Sequence, residues 1–189
     1  MKRFLLWILM FLLPACSLVG TNDPSSPLSP FERRTASVVA DDRDIENDIN
    51  EELGDDNDLQ AQTHINVNAF NGIVLLTGQA MTAELKTKIV EIARVVKHVK
   101  QVNDNIAVSF PSGLDSINND RLMTERIITA LQQIRSLPNF DSSQVKVIIV
   151  NSSVYLMGMV HRSEGAVVIN VVRHQAGVKQ IITVFEYLD

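Results

Sequence analysis

This chain of 189 residues holds one cysteine, Cys16, and four histidines. A single thiol cannot close a disulfide within the chain, nor supply the paired thiolates of a structural zinc site. The histidines do not fill that gap. His64, His98, His161 and His174 show no His-x-x-x-His spacing and read as surface or strand-edge residues. Glycine-rich phosphate loops are missing, and Ser152 and Ser153 lie in a predicted turn without the Gly-x-Ser-x-Gly elbow of a nucleophile. A basic excess is lacking too. Lys and Arg number 17 against 22 Asp and Glu, and a net charge of −5 argues against a general nucleic-acid binder. The neighbouring carboxylates Glu51-Glu52 and Asp55-Asp56 fall in an acidic run that reads as a solvated face. None of this predicts an enzyme, and no cofactor or metal is implied.

Long apolar runs are also scarce. The run from Phe4 to Leu13 follows Met1-Lys2-Arg3 and has the length of a signal peptide, too short for a spanning helix. It ends in Leu13-Pro14-Ala15-Cys16, which resembles a bacterial lipobox, with Pro14 as a departure at a position usually held by a small residue. The resemblance implies a signal peptide over 1–15 and a Cys16 that is acylated and becomes the new N-terminus. The alternative is an ordinary cleaved signal with an incidental cysteine. Lipidation would remove a lone thiol that an oxidising compartment would otherwise pair between molecules. One acyl chain binds a bilayer marginally, whereas several anchor it stably. Ser17, in place of aspartate, implies by the same resemblance the periplasmic face of the outer membrane. Residues 16–40 carry Pro24, Pro27 and Pro30 among polar residues with no apolar period, and read as a flexible tether. About 24 such residues reach roughly 25–30 Å.

The remainder is a repeat. Ile65 to Gly78 recurs as Val145 to Gly158, with Val74 matching Val154, Leu76 matching Leu156 and Glu84 matching Glu164. Each copy then runs through a helical stretch to a Val-Lys-Gln closing, at Val99-Lys100-Gln101 and Val178-Lys179-Gln180. Ile45, Ile49 and Leu53 give a narrow helical stripe that Gly54 stops. Alternating Ile65, Val67 and Ala69 predict a strand, Asn71-Gly72 a tight hairpin, and Ile73 to Thr77 the return strand ended by Gly78. Thr82 can cap a helix through Lys97, and Val99 to Val108 reads as a third strand. In the second copy Asp120 reads as the cap of a helix from Arg121 to about Ser136, before Pro138. Val145–Val150 and Val154–Met157 then form a hairpin, followed by a helix from about Ser163 to Gln175 and a strand from Val178 to Leu188. The predicted fold class is α+β, two tandem modules over 41–110 and 111–189, each α-β-β-α-β with a small mixed three-stranded sheet packed by two helices. Pro111-Ser112-Gly113 is a short break, so the modules are expected to touch.

This order, with Gly78 and Gly158 and the Val-Lys-Gln closings, resembles BON domains. Lipobox, tether and two modules together resemble the dual-BON outer-membrane lipoproteins. The resemblance implies binding of anionic phospholipid, such as phosphatidylglycerol or cardiolipin, through the first helix of the second module. It implies a role in outer-membrane integrity, at the division site. The membrane-inserting tryptophan of these proteins aligns with Leu122, and leucine lacks the indole's preference for the bilayer interface.

Charge divides along the same line. Asp41 to Phe110 carries thirteen acids and six bases, or −7, while Asp115 to Asp189 carries seven of each. An anionic membrane would repel the first module and tolerate the second. On the predicted helix of the second module, Met123, Ile127, Ala130, Leu131 and Ile134 form the stripe that packs on the sheet. Leu122 stands off that stripe, beside Arg121, Arg126, Thr129 and Gln133. An outlying leucine among arginines suits an interfacial lipid contact, and the candidate residues are Arg121, Leu122, Met123, Glu125, Arg126 and Thr129. The spacing equally allows Leu122 to pack under the inter-module loop near Leu114. A competing expectation is a protein-interaction module, chaperone-like or serving outer-membrane assembly machinery, through the acidic first helix and the open sheet edges.

Overall fold

Two helices of 19 residues, α1 (Ala36–Gly54) and α4 (Leu114–Gln132), open the two halves of the chain in matching positions. The computed structural model describes residues 32–189; the expected signal peptide, Cys16 and the tether as far as residue 31 lie outside them. After α1 come a short α2 (Asn57–Gln62), β1 (Thr63–Phe70), β2 (Ile73–Ala80), α3 (Ala83–Val95) and β3 (Gln101–Val108). After α4 come a 3-10 turn (Ser142–Gln144), β4 (Val145–Val150), β5 (Ser153–Val160), α5 (Arg162–Arg173) and β6 (Gln180–Tyr187). Each sheet is mixed. β2 lies between antiparallel β1 and parallel β3, and β5 likewise lies between β4 and β6.

The central strands are buried on both faces, which follows from their apolar runs. Val74, Leu76 and Ala80 of β2 meet Ile45 and Ile49 of α1 and Ile89 and Ala93 of α3. Val154, Leu156 and Val160 of β5 meet Met123, Ile127 and Leu131 of α4 and Val168 and Val172 of α5. The alternate residues point the other way. Leu75 and Phe70 from the first module join Tyr155 and Met157 from the second in a shared core, so the sheets pack back to back. Around that core Glu46 pairs with Lys146, and the Asn71 amide donates to Glu186 at 2.7 Å. The modules touch, as the short linker requires.

Several local expectations shift. Asp120 is not a cap. α4 starts seven residues earlier, at an N-cap Gly113 without a side-chain cap bond, and stops at Gln132 instead of near Ser136. Asp120 lies inside the helix, 9% exposed. Its carboxylate accepts from the backbone N–H of Asn151 at 2.6 Å and of Ser152 at 2.9 Å. Asp42 of α1 serves Asn71 at 2.8 Å and Gly72 at 2.7 Å in the same way. Both hairpin turns sit in the left-handed region, with φ of 52° and 76° at Asn71 and Gly72 and 52° and 65° at Asn151 and Ser152. Each carboxylate satisfies two N–H groups that the turn leaves without strand partners.

Gly78 and Gly158 do not end strands; they pair inside them with Ile65 and Val145. Gly78 has φ of +116°, and a Cβ there would come within 2.0 Å of the His64 carbonyl oxygen, so the position excludes a side chain. β3 begins at Gln101, two residues later than predicted, while β2 and β5 run on to Ala80 and Val160. α2 escaped the periodicity because six residues give less than two turns.

The expected tether also ends early. Thr35 caps α1 by accepting from Val38 N–H, so residues 36–40 are helical. Before the cap, Arg34 donates to Asp42 at 2.8 Å and lies 3.7 Å over the Phe70 ring. Arg33 reaches the other module, holding both carboxylate oxygens of Glu164 at 2.7 and 2.8 Å and the Met159 carbonyl at 2.8 Å. Two adjacent arginines thus strap the modules together.

Candidate functional site

α4 turns one side to its own sheet and leaves the other outside. Met123 belongs to the inner side. It is 3% exposed and packs in the second core, so it drops out of the surface contact expected of it. The other five candidates stay on the outer side. Leu122 is 49% exposed, and Arg121, Glu125, Arg126 and Thr129 are exposed around it. Leu114, under which Leu122 could have packed, is itself 78% exposed, and that alternative is not realised.

Leu122, Arg126, Thr129, Ala130 and Gln133 line a shallow groove of about 560 Å³, closed on the far side by Gln175 after α5. The polar contacts around it are few. Arg121 pairs with Glu125 one turn on at 3.4 Å, which cancels one positive charge. Arg126 donates to the Ala176 carbonyl at 3.2 Å, a bond that fixes the guanidinium and leaves its charge uncompensated. The Thr129 hydroxyl is taken by the Glu125 carbonyl at 2.8 Å. The face therefore offers an apolar side chain and one net positive charge. It can attract an anionic surface weakly and bury a leucine in it.

Sequence reasoning missed the extra N-terminal turns of α4. They carry Leu114 and the exposed Ile117, and the linker just before them holds Phe110, 78% exposed. Gly113 ahead of Leu114-Asp115 was the available signal for an earlier start, since glycine is an acceptable N-cap.

The same helix–helix groove exists in the first module with opposite chemistry. Asp42 and Asp120 correspond, and in that register Asp48 stands where Arg126 does and Glu51 where Thr129 does. Asp48, Glu51 and Glu52 line one side of a groove of about 420 Å³, and Ile92, Val95, Val96 and Lys97 at the α3 end line the other. The histidines are dispersed. His98 lies beside Asp41 at 3.3 Å, His161 begins α5, and His174 ends it with Nδ1 against the Asn170 carbonyl. Among the described residues no helix is long and apolar enough to cross a membrane.

Comparison with known proteins agrees with the repeat. A BON-domain family model matches residues 41–109 and 119–189. The outer membrane lipoprotein DolP of Haemophilus influenzae is 29% identical over 160 residues, covering 82% of this chain and 79% of that protein. A 21 kDa hemolysin of Actinobacillus pleuropneumoniae is 30% identical over 170 residues, covering 89% of this chain and 85% of that protein. A solved structure of CdsD, a structural protein of the type III secretion system of Chlamydia trachomatis, aligns with 77% of this chain and 92% of its own. Its TM-score of 0.31 and identity of 14% are too low to bear on function. With both halves matched in register with the observed repeat, the chain belongs to the BON-domain family as a tandem of two such domains.

Proposed function

We propose that this protein is a non-enzymatic lipoprotein of the outer membrane, held at its periplasmic face by acyl chains on Cys16. Its second domain binds anionic phospholipid, phosphatidylglycerol or cardiolipin, through the outer face of α4, and so supports membrane integrity, with division sites as one place of action. The observation that carries the reading is Leu122, half exposed beside Arg126 on a helix face that no other element covers. Its similarity to a named outer membrane lipoprotein supports the location. A single arginine near an anionic surface contributes about 1 kcal/mol, so the apolar part must supply most of the binding. The test uses the chain from residue 16 with Cys16→Ser, so that no acyl group holds it. It should co-sediment with vesicles containing phosphatidylglycerol, less so at high salt, and not with phosphatidylcholine alone. Leu122→Glu should abolish that binding with an unchanged circular dichroism spectrum; undiminished binding would remove α4 from the reading.

A second reading, a periplasmic protein-interaction or chaperone-like module serving outer-membrane assembly, is favoured by the acid-rimmed groove of the first domain. Val95, the last residue of α3, is 84% exposed there, an apolar side chain facing three carboxylates against the single Lys97. That surface repels anionic lipid and complements a basic amphipathic segment. A helical peptide of alternating leucine and lysine faces should bind the whole chain, and Val95→Asp should weaken it tenfold or more. Binding that responds to salt but ignores Val95→Asp would reduce the groove to general charge attraction.

A further inference from the structure

β3 and β6 are equivalent edge strands, and only β3 is closed. Ser109 N–H donates to the Ala80 carbonyl and Leu188 N–H to the Val160 carbonyl, which fixes which alternate residues turn their backbone groups inward. The others point out of the sheet. On β3 both outward groups of Ile106 are taken. Its N–H donates to Asp104 at 3.0 Å and its carbonyl accepts from Lys86 at 2.7 Å, with Lys86 and Asp104 paired at 3.1 Å. The repeat puts Ala166 in the place of Lys86 and Thr183 in the place of Asp104, so β6 has no such clamp. Among the described residues no side chain holds the outward groups of Ile181, Thr183 and Phe185. Independently of the lipid reading of α4, we propose that β6 pairs antiparallel with β6 of a second copy of this chain. The two-fold axis passes through Thr183 and joins two three-stranded sheets into one of six.

The other edges are unsuited to this. β1 and β4 line the grooves between the two domains, where Glu46 takes the Ala69 N–H at 2.7 Å and pairs with Lys146. β3 carries Asn103-Asp104-Asn105 at its centre, and inward or clamped charges of this kind keep an edge from pairing. β6 carries Ile182-Thr183-Val184 there, followed by Phe185, which suits a paired strand.

The second copy is the occupant because β6 complements itself. A strand meeting its own copy about a two-fold axis runs antiparallel, and opposed residues share a face of the sheet. With the axis at Thr183, Ile181 opposes Phe185 of the second copy, Ile182 opposes Val184, and Gln180 opposes Glu186. Each pair occurs twice. Ile181 and Phe185 pack on the core of the second domain and Ile182 and Val184 on the shared core, so both cores continue across the axis. Glu186 is the one charge in β6, and it meets an amide that can donate to it. An axis at Val184 would instead press Glu186 against Ile182.

The experiment uses the chain from residue 16 with Cys16→Ser. Sedimentation should show a monomer–dimer equilibrium, and amide exchange at Ile181, Thr183 and Phe185 should slow as concentration rises while Ile106 is unaffected. Thr183→Lys places two ammonium groups face to face and should weaken the dimer roughly fivefold or more. Thr183 is exposed and its neighbours make the bonds to β5, so the melting temperature should match the parent's. Gln180→Lys, opposite Glu186, should tighten the dimer and Gln180→Glu should loosen it, each by about threefold. Under mild oxidation Thr183→Cys should form a disulfide dimer well before Glu125→Cys on α4, since opposed residues of a hydrogen-bonded pair lie about 5.5 Å apart at Cα, within disulfide reach. A parent that stays monomeric at millimolar concentration overturns the inference. So does a dimer that survives Thr183→Lys or crosslinks equally well through Glu125→Cys. If Gln180→Lys loosens the dimer and Gln180→Glu tightens it, the axis at Thr183 is wrong and the inference falls with it.

Discussion

Asp42 and Asp120 grip equivalent hairpin turns, yet the residue second in each turn differs: glycine at 72 and serine at 152. Ser152 holds φ of 65°, in a region that strains a residue with a Cβ. Its carboxylate grip compensates for that strain. Ser152→Gly should therefore stabilise the protein by about 1 kcal/mol, because the turn geometry is already that of a glycine. Urea denaturation would read it, and a loss in stability would mean that the serine hydroxyl contributes more than its backbone suffers. Asn71-Gly72 was legible because a two-residue type I′ turn writes its requirement into two adjacent letters. The aspartates were not. Asp120 before an amphipathic run is locally indistinguishable from a cap, and its partners lie 31 and 32 residues further on.

At the scale of elements, α4 is the instructive case. The stripe Met123, Ile127 and Leu131 gave the helix and its inner face correctly. Its start was misplaced because the first turns are not buried, and burial periodicity is silent where a helix stands clear of the core. The same silence hid Phe110 and Leu114, which read as ordinary apolar residues near a break; Met123, by contrast, lay in the buried stripe and was counted in the surface contact against that pattern. Gly113 caps the helix with φ of −72° and no side-chain bond. No atom lies within 4 Å of where a Cβ would stand. Gly113→Ser should add a cap hydrogen bond and remove unfolded-state freedom, raising stability by about 0.5–1 kcal/mol. A thermal melt would show it, and no change would mean that the first turn of α4 is frayed in solution.

For the whole molecule, the sequence predicted contact between the modules but not its form. Leu75 and Met157 look like any inward residues of a strand, and only the structure reveals that they face the opposite module. The arginine strap was invisible for a different reason, since Arg33 stands in a segment whose prolines spoke for a tether. Hydrogen bonds from Arg33 hold the Glu164 carboxyl below the usual glutamate range against the opposing effect of burial, helped by the His161 N–H and the charges of Arg33 and His161. An acid depressed in the folded state contributes fully above its unfolded pKa, near 4.5, and that stability is lost as pH falls through the lower folded value. Arg33→Ala should lower stability at neutral pH and flatten its decline in acid. Urea midpoints from pH 7 to 3 would show this, and parallel profiles for parent and variant would contradict the coupling.

The sequence separations of these contacts order them in time. Asp42 finds its turn 29 and 30 residues away, so that closure needs only the first module and has a modest entropy cost. Arg33 and Met159 are 126 residues apart and Arg33 and Glu164 131, so the strap across the modules waits for β5 and then for α5. For a chain that emerges N-terminus first, the segment carrying Arg33 is the first of the described residues to appear, yet it is fastened only once much of the second domain has followed. Fastening it is then a step that registers the arrival of β5 and α5, ahead of the closing strand β6.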